Sequence, residues 1–282
     1  MTAPPVVETI ADLRAQIAAW RTTEPARIGL VPTMGALHEG HLSLVREAKA
    51  RTGKVVVSIF VNPAQFAPHE DFDRYPRTME DDLAKLTSTG ADLVFAPDVN
   101  EMYPQGFATA IEVGGPSAGL ETDFRPHFFE GVATVVAKLL IAAMPDIAIF
   151  GEKDYQQLLV IRRLTADLGL PIQIIGGAIV REPDGLAMSS RNAYLSPDER
   201  RIAGRLNAVL KDAASRVRRG EDISSAETGG KTLLLEAGFQ SVDYVAIRDA
   251  QTLEKIESSS QPARILAAAK VGATRLIDNF SV

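Results

Sequence analysis

The sequence predicts an α/β fold: a mostly parallel, doubly wound sheet followed by a smaller α+β region. Three observations carry this. Between residues 28 and 176, short apolar runs alternate with segments of helical period. One of those runs, Lys54 to Val61, is so continuously β-branched that it fits a parallel strand buried on both faces. From about Val180 onward the order changes, with two long helical patterns preceding a group of strands.

The totals allow one large domain or two modest ones. At 282 residues there is ample material for a core, and 46% hydrophobic with 23% charged residues is a globular balance. A net charge of −6 argues against gripping nucleic acid by bulk phosphate attraction. The chain has no cysteine, which removes disulfides, thiolate chemistry and most structural zinc sites. Met1 to Ile10 lacks the basic start and apolar centre of a signal peptide, and no apolar run nears membrane-spanning length. The expectation is a cytoplasmic protein with neither membrane nor nucleic-acid partners.

Taken in order, Ile10, Leu13, Ile17 and Trp20 recur at helical spacing and predict a helix from Ile10 to Arg21 that packs on the sheet. Ile28 to Val31 is a strand. It leads into Pro32-Thr33-Met34-Gly35-Ala36-Leu37-His38-Glu39-Gly40-His41, and helical sequence resumes at Leu42 to Lys49. A strand, a tight glycine-bearing loop and a helix N-terminus in succession aim free backbone N–H groups and a positive dipole end at the loop's ligand, usually a phosphate. His38 and His41, three apart, fall on one side of that first turn. Imidazoles there can hydrogen-bond phosphate oxygens and change charge near neutral pH. A zinc site of the metalloprotease kind needs His at i and i+4 around a Glu, and only His69 and His127 stand in reserve.

The run ending at Val61 is followed by Asn62-Pro63-Ala64-Gln65-Phe66. Residues just past the C-terminal end of a parallel strand face the ligand crevice, so Asn62 and Gln65 are site candidates; Asn-Pro is also a plain turn starter. Thr78 reads as the N-cap of a helix over 79–88, and Asp81 and Asp82 suit its positive end. A strand at 92–97, a helical turn at 101–104, an irregular stretch at 106–129, an apolar helix at 131–144 and a strand at 146–150 follow. Gly151-Glu152-Lys153-Asp154 then opens a helix through about Leu168. Lys153 can place a point charge on a phosphate, and Gln157 can hold a hydroxyl or carboxylate. Strands at 172–175 and 178–180 close this half.

In the second region, Met188-Ser189-Ser190-Arg191 follows a Pro183-Asp184-Gly185 turn. Two hydroxyls and a guanidinium there make a mobile phosphate clamp, or simply a turn before the helix that Pro197 starts. Helices are expected over 197–219 and 224–237, and strands over 242–248, 264–271 and 274–279. Gly229-Gly230-Lys231-Thr232 is not a phosphate loop, because Ser225 stands where the first glycine is required and the stretch lies inside a helical pattern.

Six segments in register resemble one family: PTMGALHEGH, SIFVNP-x-QF, YPRT, FGEKDYQQL, MSSRN-x-YL and the closing TRLIDN. Spread from residue 28 to 279, they are similar to the pantothenate synthetases of the nucleotidylyltransferase superfamily. The resemblance implies a Rossmann-like domain at 1–179, a smaller C-terminal α+β lid domain at 180–282 carrying the MSSR loop, and a homodimer. It implies ATP-dependent condensation of pantoate with β-alanine through a pantoyl adenylate, releasing pyrophosphate and AMP, with Mg²⁺ carried on the nucleotide. Carried over residue by residue, ATP falls to Met34, Gly35, Ala36, Leu37, His38, Glu39, Gly40, His41, Gly151, Glu152, Lys153, Asp154, Val180, Met188, Ser189, Ser190 and Arg191. Within that set His41 is the proton donor and His38 a phosphate contact. Lys153, Ser190 and Arg191 are donors suited to neutralising charge on the phosphates. Gln65 is assigned to pantoate and β-alanine and Gln157 to pantoate, with Asn62 at the pantoate end of the same crevice. Asp81 and Asp82 either reach a metal or its waters or cap their helix. Two positions depart from the family's pattern: His127-Phe128 replaces an x-His pair after Pro126, and Ala64 replaces a methionine.

Two rivals remain. A different nucleotidyltransferase acting on a phosphorylated acceptor calls for extra Arg or Lys at the crevice, where Asn62 and Gln65 stand instead. A catalytically silent ATP sensor predicts nucleotide binding with no pyrophosphate release; loss of the histidines or the lysine would support it, and all are present.

Overall fold

The computed structural model describes residues 2–23, 26–67, 70, 72–258 and 261–282; His69, one of the reserve histidines, lies outside them. The described chain divides into two compact units, one of residues 1–114, 125–152 and 160–178, the other of 115–124, 153–159 and 179–282.

The first unit is a parallel six-stranded sheet in the order β1-β4-β3-β2-β5-β6. Its strands are β1 (Val6–Val7), β2 (Ile28–Thr33), β3 (Lys54–Ile59), β4 (Leu93–Phe95), β5 (Ile147–Gly151) and β6 (Gln173–Gly177). The central β2 pairs with β3 from Ile28↔Lys54 to Thr33↔Ile59 and with β5 at Gly29↔Ile147 and Leu30↔Ala148. Winding proceeds from β2 through β3 to β4 on one side, then jumps back to β5 and β6 on the other. The switch point is therefore between β2 and β5, and the loops that leave their C-terminal ends flank the crevice typical of such sheets.

Val31, Val55, Val57, Val94, Ile147 and Ile149 are fully or almost fully buried, as expected of strands covered on both faces. They pack with Leu44, Val45 and Ala48 of α2 (Glu39–Arg51). The other helices of this unit are α1 (Ile10–Thr23), α3 (Met79–Leu86), α4 (Val99–Met102) and α6 (Phe128–Ala143), with α7 (Tyr155–Asp167) from residue 160 onward. Between α4 and α6 in sequence lies α5 (Glu121–Phe124), which belongs to the second unit.

The second unit holds α8 (Pro197–Ala203), α9 (Arg205–Arg218) and α10 (Ile223–Glu236) with an antiparallel three-stranded sheet of β7 (Ser241–Asp249), β8 (Ala263–Val271) and β9 (Thr274–Ser281). Leu206, Leu210, Ala213 and Val217 on α9 form one buried stripe at helical spacing, packed with Ile247, Ile265 and Ala267 of the sheet.

The fold differs from the sequence expectation at four places. Residues 178–180 form no strand. After Gly177 the chain turns into a hairpin closed on itself, with an Arg181↔Ala187 bridge and the Met188 amide donating to the Val180 carbonyl. The helix expected over 197–219 is two, interrupted at Gly204, where a Cβ would run into the Asp184 carboxylate. The irregular stretch holds a 3₁₀ turn at Gly115–Ser117 and α5, elements too short to show a period. The two-residue β1 gives no pattern at all.

Candidate active site

The loop after β2 is held by its backbone. Gly35 (φ +81°) and Ala36 (φ +48°) are both left-handed, a conformation that costs an L residue about 1–2 kcal/mol. What holds them is α3. Asp82, fully buried, accepts the Ala36 amide at 2.9 Å and the Leu37 amide at 2.7 Å, and Lys85 one turn on donates to the Leu37 carbonyl at 2.8 Å. Gly35 N–H goes to the Thr33 hydroxyl at 3.2 Å. Three loop amides expected to be free for a ligand are thus engaged inside the protein. Thr78 stands at the N-cap position of α3, yet its hydroxyl meets the Asp82 carboxylate at 3.3 Å instead of capping.

His38 is the N-cap residue of α2 and His41 sits at N3, so both rings leave the same end of the helix, with centroids 4.1 Å apart and planes tilted by 35°. His41 Nδ1 accepts the His38 amide at 3.4 Å, which leaves Nε2 to carry the ring proton in the neutral tautomer. Both residues are half-buried.

Past β3, Asn62 is almost fully buried and its hydrogen-bonding capacity is filled. Its Oδ1 accepts Tyr103 O–H at 2.7 Å and Ala64 N–H at 3.3 Å, while Nδ2 donates to the Gly131 carbonyl at 3.1 Å and Gln65 Oε1 at 3.2 Å. Burial pushes the Tyr103 phenol up to about 12 despite the opposing hydrogen bond with Asn62. Gln65 Nε2 reaches Met34 Sδ at 2.9 Å, bringing two expected site residues together. Arg125 donates to the Gln65 carbonyl at 3.1 Å, pairs with Glu70 at 2.6 Å and stacks on the Phe128 ring at 3.8 Å. His127 occupies the N-cap position of α6 without a side-chain cap.

The turn Pro63–Gln65 lies so close to α6 that only glycine fits at 131. A Cβ there would be 2.5 Å from the Ala64 carbonyl carbon and 2.9 Å from Gln65 N, and nearer still to the Ala64 oxygen. Gly151 ends β5 beside the same switch point and Glu152 follows it.

In the second unit, Lys153 and Asp154 end the 3₁₀ turn Glu152–Asp154 that precedes α7, and the half-buried Gln157 lies in the first turn of α7. Gln156, buried beside Gln157, accepts the Glu121 amide and donates to the Pro116 and Gly119 carbonyls, each at 3.1 Å. Val180 and Met188 are cross-hairpin neighbours, and the Ser189 hydroxyl caps the 3₁₀ turn Ser190–Tyr194 by accepting Arg191 N–H at 3.3 Å. Among the described residues, no three His, Asp or Glu side chains gather as a metal cage, and no helix is long and apolar enough to cross a membrane.

A family profile described as pantoate–β-alanine ligase matches residues 5–281. The chain belongs to that family. A curated pantothenate synthetase from Mesorhizobium japonicum is 56% identical over 282 residues, covering 100% of this chain and 99% of that protein. A crystal structure of pantothenate synthetase from Thermus thermophilus superposes with a TM-score of 0.91 at 46% identity, covering 98% of each chain. A pantoate–β-alanine ligase from Francisella tularensis, complexed with beta-gamma ATP and β-alanine, gives 0.82 at 34% identity, covering 99% of this chain and 98% of that one.

Three features of this ligase escaped the sequence reading: the Asp82 clamp, the Tyr103–Asn62 bond and the glycine demanded at 131. Asp82 had a trace, being one of two aspartates in a first turn that needs only one. Tyr103 and Gly131 had none, because their partners lie 41 and 67 residues away in sequence.

Proposed function

We propose that this ligase condenses pantoate with β-alanine, driven by ATP, through a pantoyl-adenylate intermediate. The pantoate carboxylate attacks the α-phosphorus of MgATP, the bond to the β-phosphate oxygen breaks, and magnesium pyrophosphate leaves. The β-alanine amine then attacks the adenylate's carbonyl carbon, loses a proton and expels AMP. The nucleophile is already ionised, so the protein has to supply position and charge stabilisation rather than covalent catalysis.

The observation that carries this reading is the stacked His38–His41 pair at the N-terminus of α2, on a loop made rigid from behind. With its ring proton on Nε2, His41 is the donor to the phosphates as charge develops, and His38 is a second phosphate contact. Met34 and Gly35 to His41, Gly151 to Asp154, Val180 and Met188 to Arg191 bind the nucleotide. Lys153, Ser190 and Arg191 neutralise its phosphates. Gln65 and Gln157 hold pantoate, with Gln65 next to β-alanine. Asn62, whose own bonds are filled, acts at that end by fixing Gln65. Magnesium arrives on the nucleotide. The working form is a cytoplasmic homodimer.

The test is pantoate-dependent exchange of labelled pyrophosphate into ATP, with Mg²⁺ and without β-alanine. Exchange that requires pantoate supports the adenylate. ATP binding without exchange refutes it and points to another acyl acceptor or a silent sensor. His41→Ala should abolish exchange while leaving the fold intact; near-normal turnover would remove the role assigned to His41.

A further inference from the structure

The closing TRLIDN segment, β9, has no role in the reaction as set out above, yet two of its side chains reach the segments expected to hold the nucleotide. Asp278 and Asn279 are adjacent in the strand and both 2% exposed. Adjacent strand residues point to opposite faces of a sheet, and these two grip different parts of the chain. Asp278 takes Arg181 bidentately, at 2.7 and 2.9 Å, and Arg181 also donates to the Gly185 carbonyl at 2.9 Å. That fixes the root and tip of the hairpin in which Val180 and Met188 face each other before Ser189–Arg191. Asn279 donates its Nδ2 to the Lys153 carbonyl at 2.9 Å and accepts Arg264 Nε at 2.7 Å. Arg264 in turn lies over the Tyr155 ring at 3.7 Å, two residues beyond Lys153.

We propose that Asp278 and Asn279 are positioning residues for the nucleotide: a single bracket through which Lys153 and the 180–191 hairpin are held in one fixed relation. A sheet strand suits this because its backbone is locked in the ladder with β8, where Ala267↔Asp278 and Leu266↔Asn279 pair. Both act through other residues, Asp278 through Arg181 and Asn279 through the Lys153 carbonyl. A bidentate Arg–carboxylate pair and a buried amide bond both fix direction as well as distance. An error of about 1 Å passed to phosphate-binding groups is worth up to about a hundredfold in rate.

The inference rests on the adenylate-forming reading. The experiment uses the full-length enzyme and pantoate-dependent pyrophosphate exchange, with KM measured separately for ATP and pantoate. Asn279→Asp keeps the acceptor for Arg264 but removes the donor to Lys153. Arg181→Lys keeps the charge beside Asp278 but loses the planar fork.

Each variant is expected to raise the ATP KM or lower kcat by about ten- to a hundredfold, with the pantoate KM within about twofold of the parent's, an effect that general weakening of the fold does not select. The double variant should lose no more than the worse single one, because cutting either arm already separates the two segments. Multiplicative losses in the double variant would overturn the bracket, as would a lowered melting temperature with unchanged ATP kinetics. If Asn279→Asp fails to fold, Arg181→Lys alone decides by the same ATP-against-pantoate comparison. A parent enzyme without exchange would refute the reading and the bracket with it. A parent that exchanges normally while the variants keep its ATP kinetics would refute the bracket alone.

Discussion

Gly131→Ala is the sharpest test of how the Gln65 turn is placed. The new methyl would lie 2.5 Å from the Ala64 carbonyl carbon and 2.9 Å from Gln65 N. Ordinary contacts of this kind are about 3.5–4 Å, so the turn must retreat by about 1 Å. The helix cannot give way in its place, since α6 is buried along most of its length. Two effects oppose each other in stability. Crowding costs about 1–3 kcal/mol, while alanine for glycine in a helix returns about 1 kcal/mol. The net loss is about 0–2 kcal/mol, a fall of a few degrees in melting temperature. Function should suffer more, because moving the turn drags Gln65 from Met34 and stretches the Asn62–Gly131 bond. The pantoate and β-alanine KM values should rise by about ten- to a hundredfold with the ATP KM little changed. Steady-state kinetics with each substrate varied in turn would check this. A folded Gly131→Ala enzyme with parental KM for both small substrates would refute the reasoning.

Other perturbations have equally definite outcomes. Asp82→Asn replaces an acceptor-only group by one whose NH₂ must face a loop amide. It should destabilise by about 1–3 kcal/mol and slow pyrophosphate exchange, whereas Lys85→Met, losing one exposed donor, should do less of both; thermal melts and exchange rates on the pair check the order. Tyr103→Phe removes the hydroxyl bonded to Asn62 and should raise the pantoate KM. It should also alter alkaline unfolding. The phenol's folded value, raised to about 12, means that its contribution is fully present below the unfolded value of about 10. That contribution is lost as pH rises through the folded one. The variant should lack that part of the loss in urea titrations between about pH 10 and 12. Arg275→Met strands the buried Glu121 carboxylate that Arg275 and Tyr244 hold at 2.9 and 2.8 Å. The expected cost is about 3–5 kcal/mol, read as a lower urea midpoint.

Most of the strand and helix order was legible because buried parallel strands and amphipathic helices leave long, repetitive patterns, as at Val55–Val57 and along α9. Ends and short elements were not. The helix expected over 197–219 is interrupted at Gly204, where Asp184, twenty residues away, leaves no room for a Cβ, and the 178–188 hairpin pairs with itself where a sheet strand was expected. Candidate site residues stand in local strings, loop by loop. Their supports do not, since Asp82, Tyr103 and Gly131 act on loops far from themselves in sequence. The expectation of free amides failed at Ala36 and Leu37 for that reason: the acceptor that takes both comes from α3.

The Asp82–Lys85 grip separates two jobs that a short loop usually has to combine. Because the Asp82 and Lys85 hydrogen bonds go to main-chain atoms of residues 36 and 37, the polar part of this grip does not depend on which side chains stand there. Position 38 and those after it can therefore change chemistry without loss of the turn. Transplanting the ten-residue string alone into another strand–helix junction would carry the imidazoles but not their aim. A graft would have to bring an acid and a base, one helical turn apart, to stand behind it.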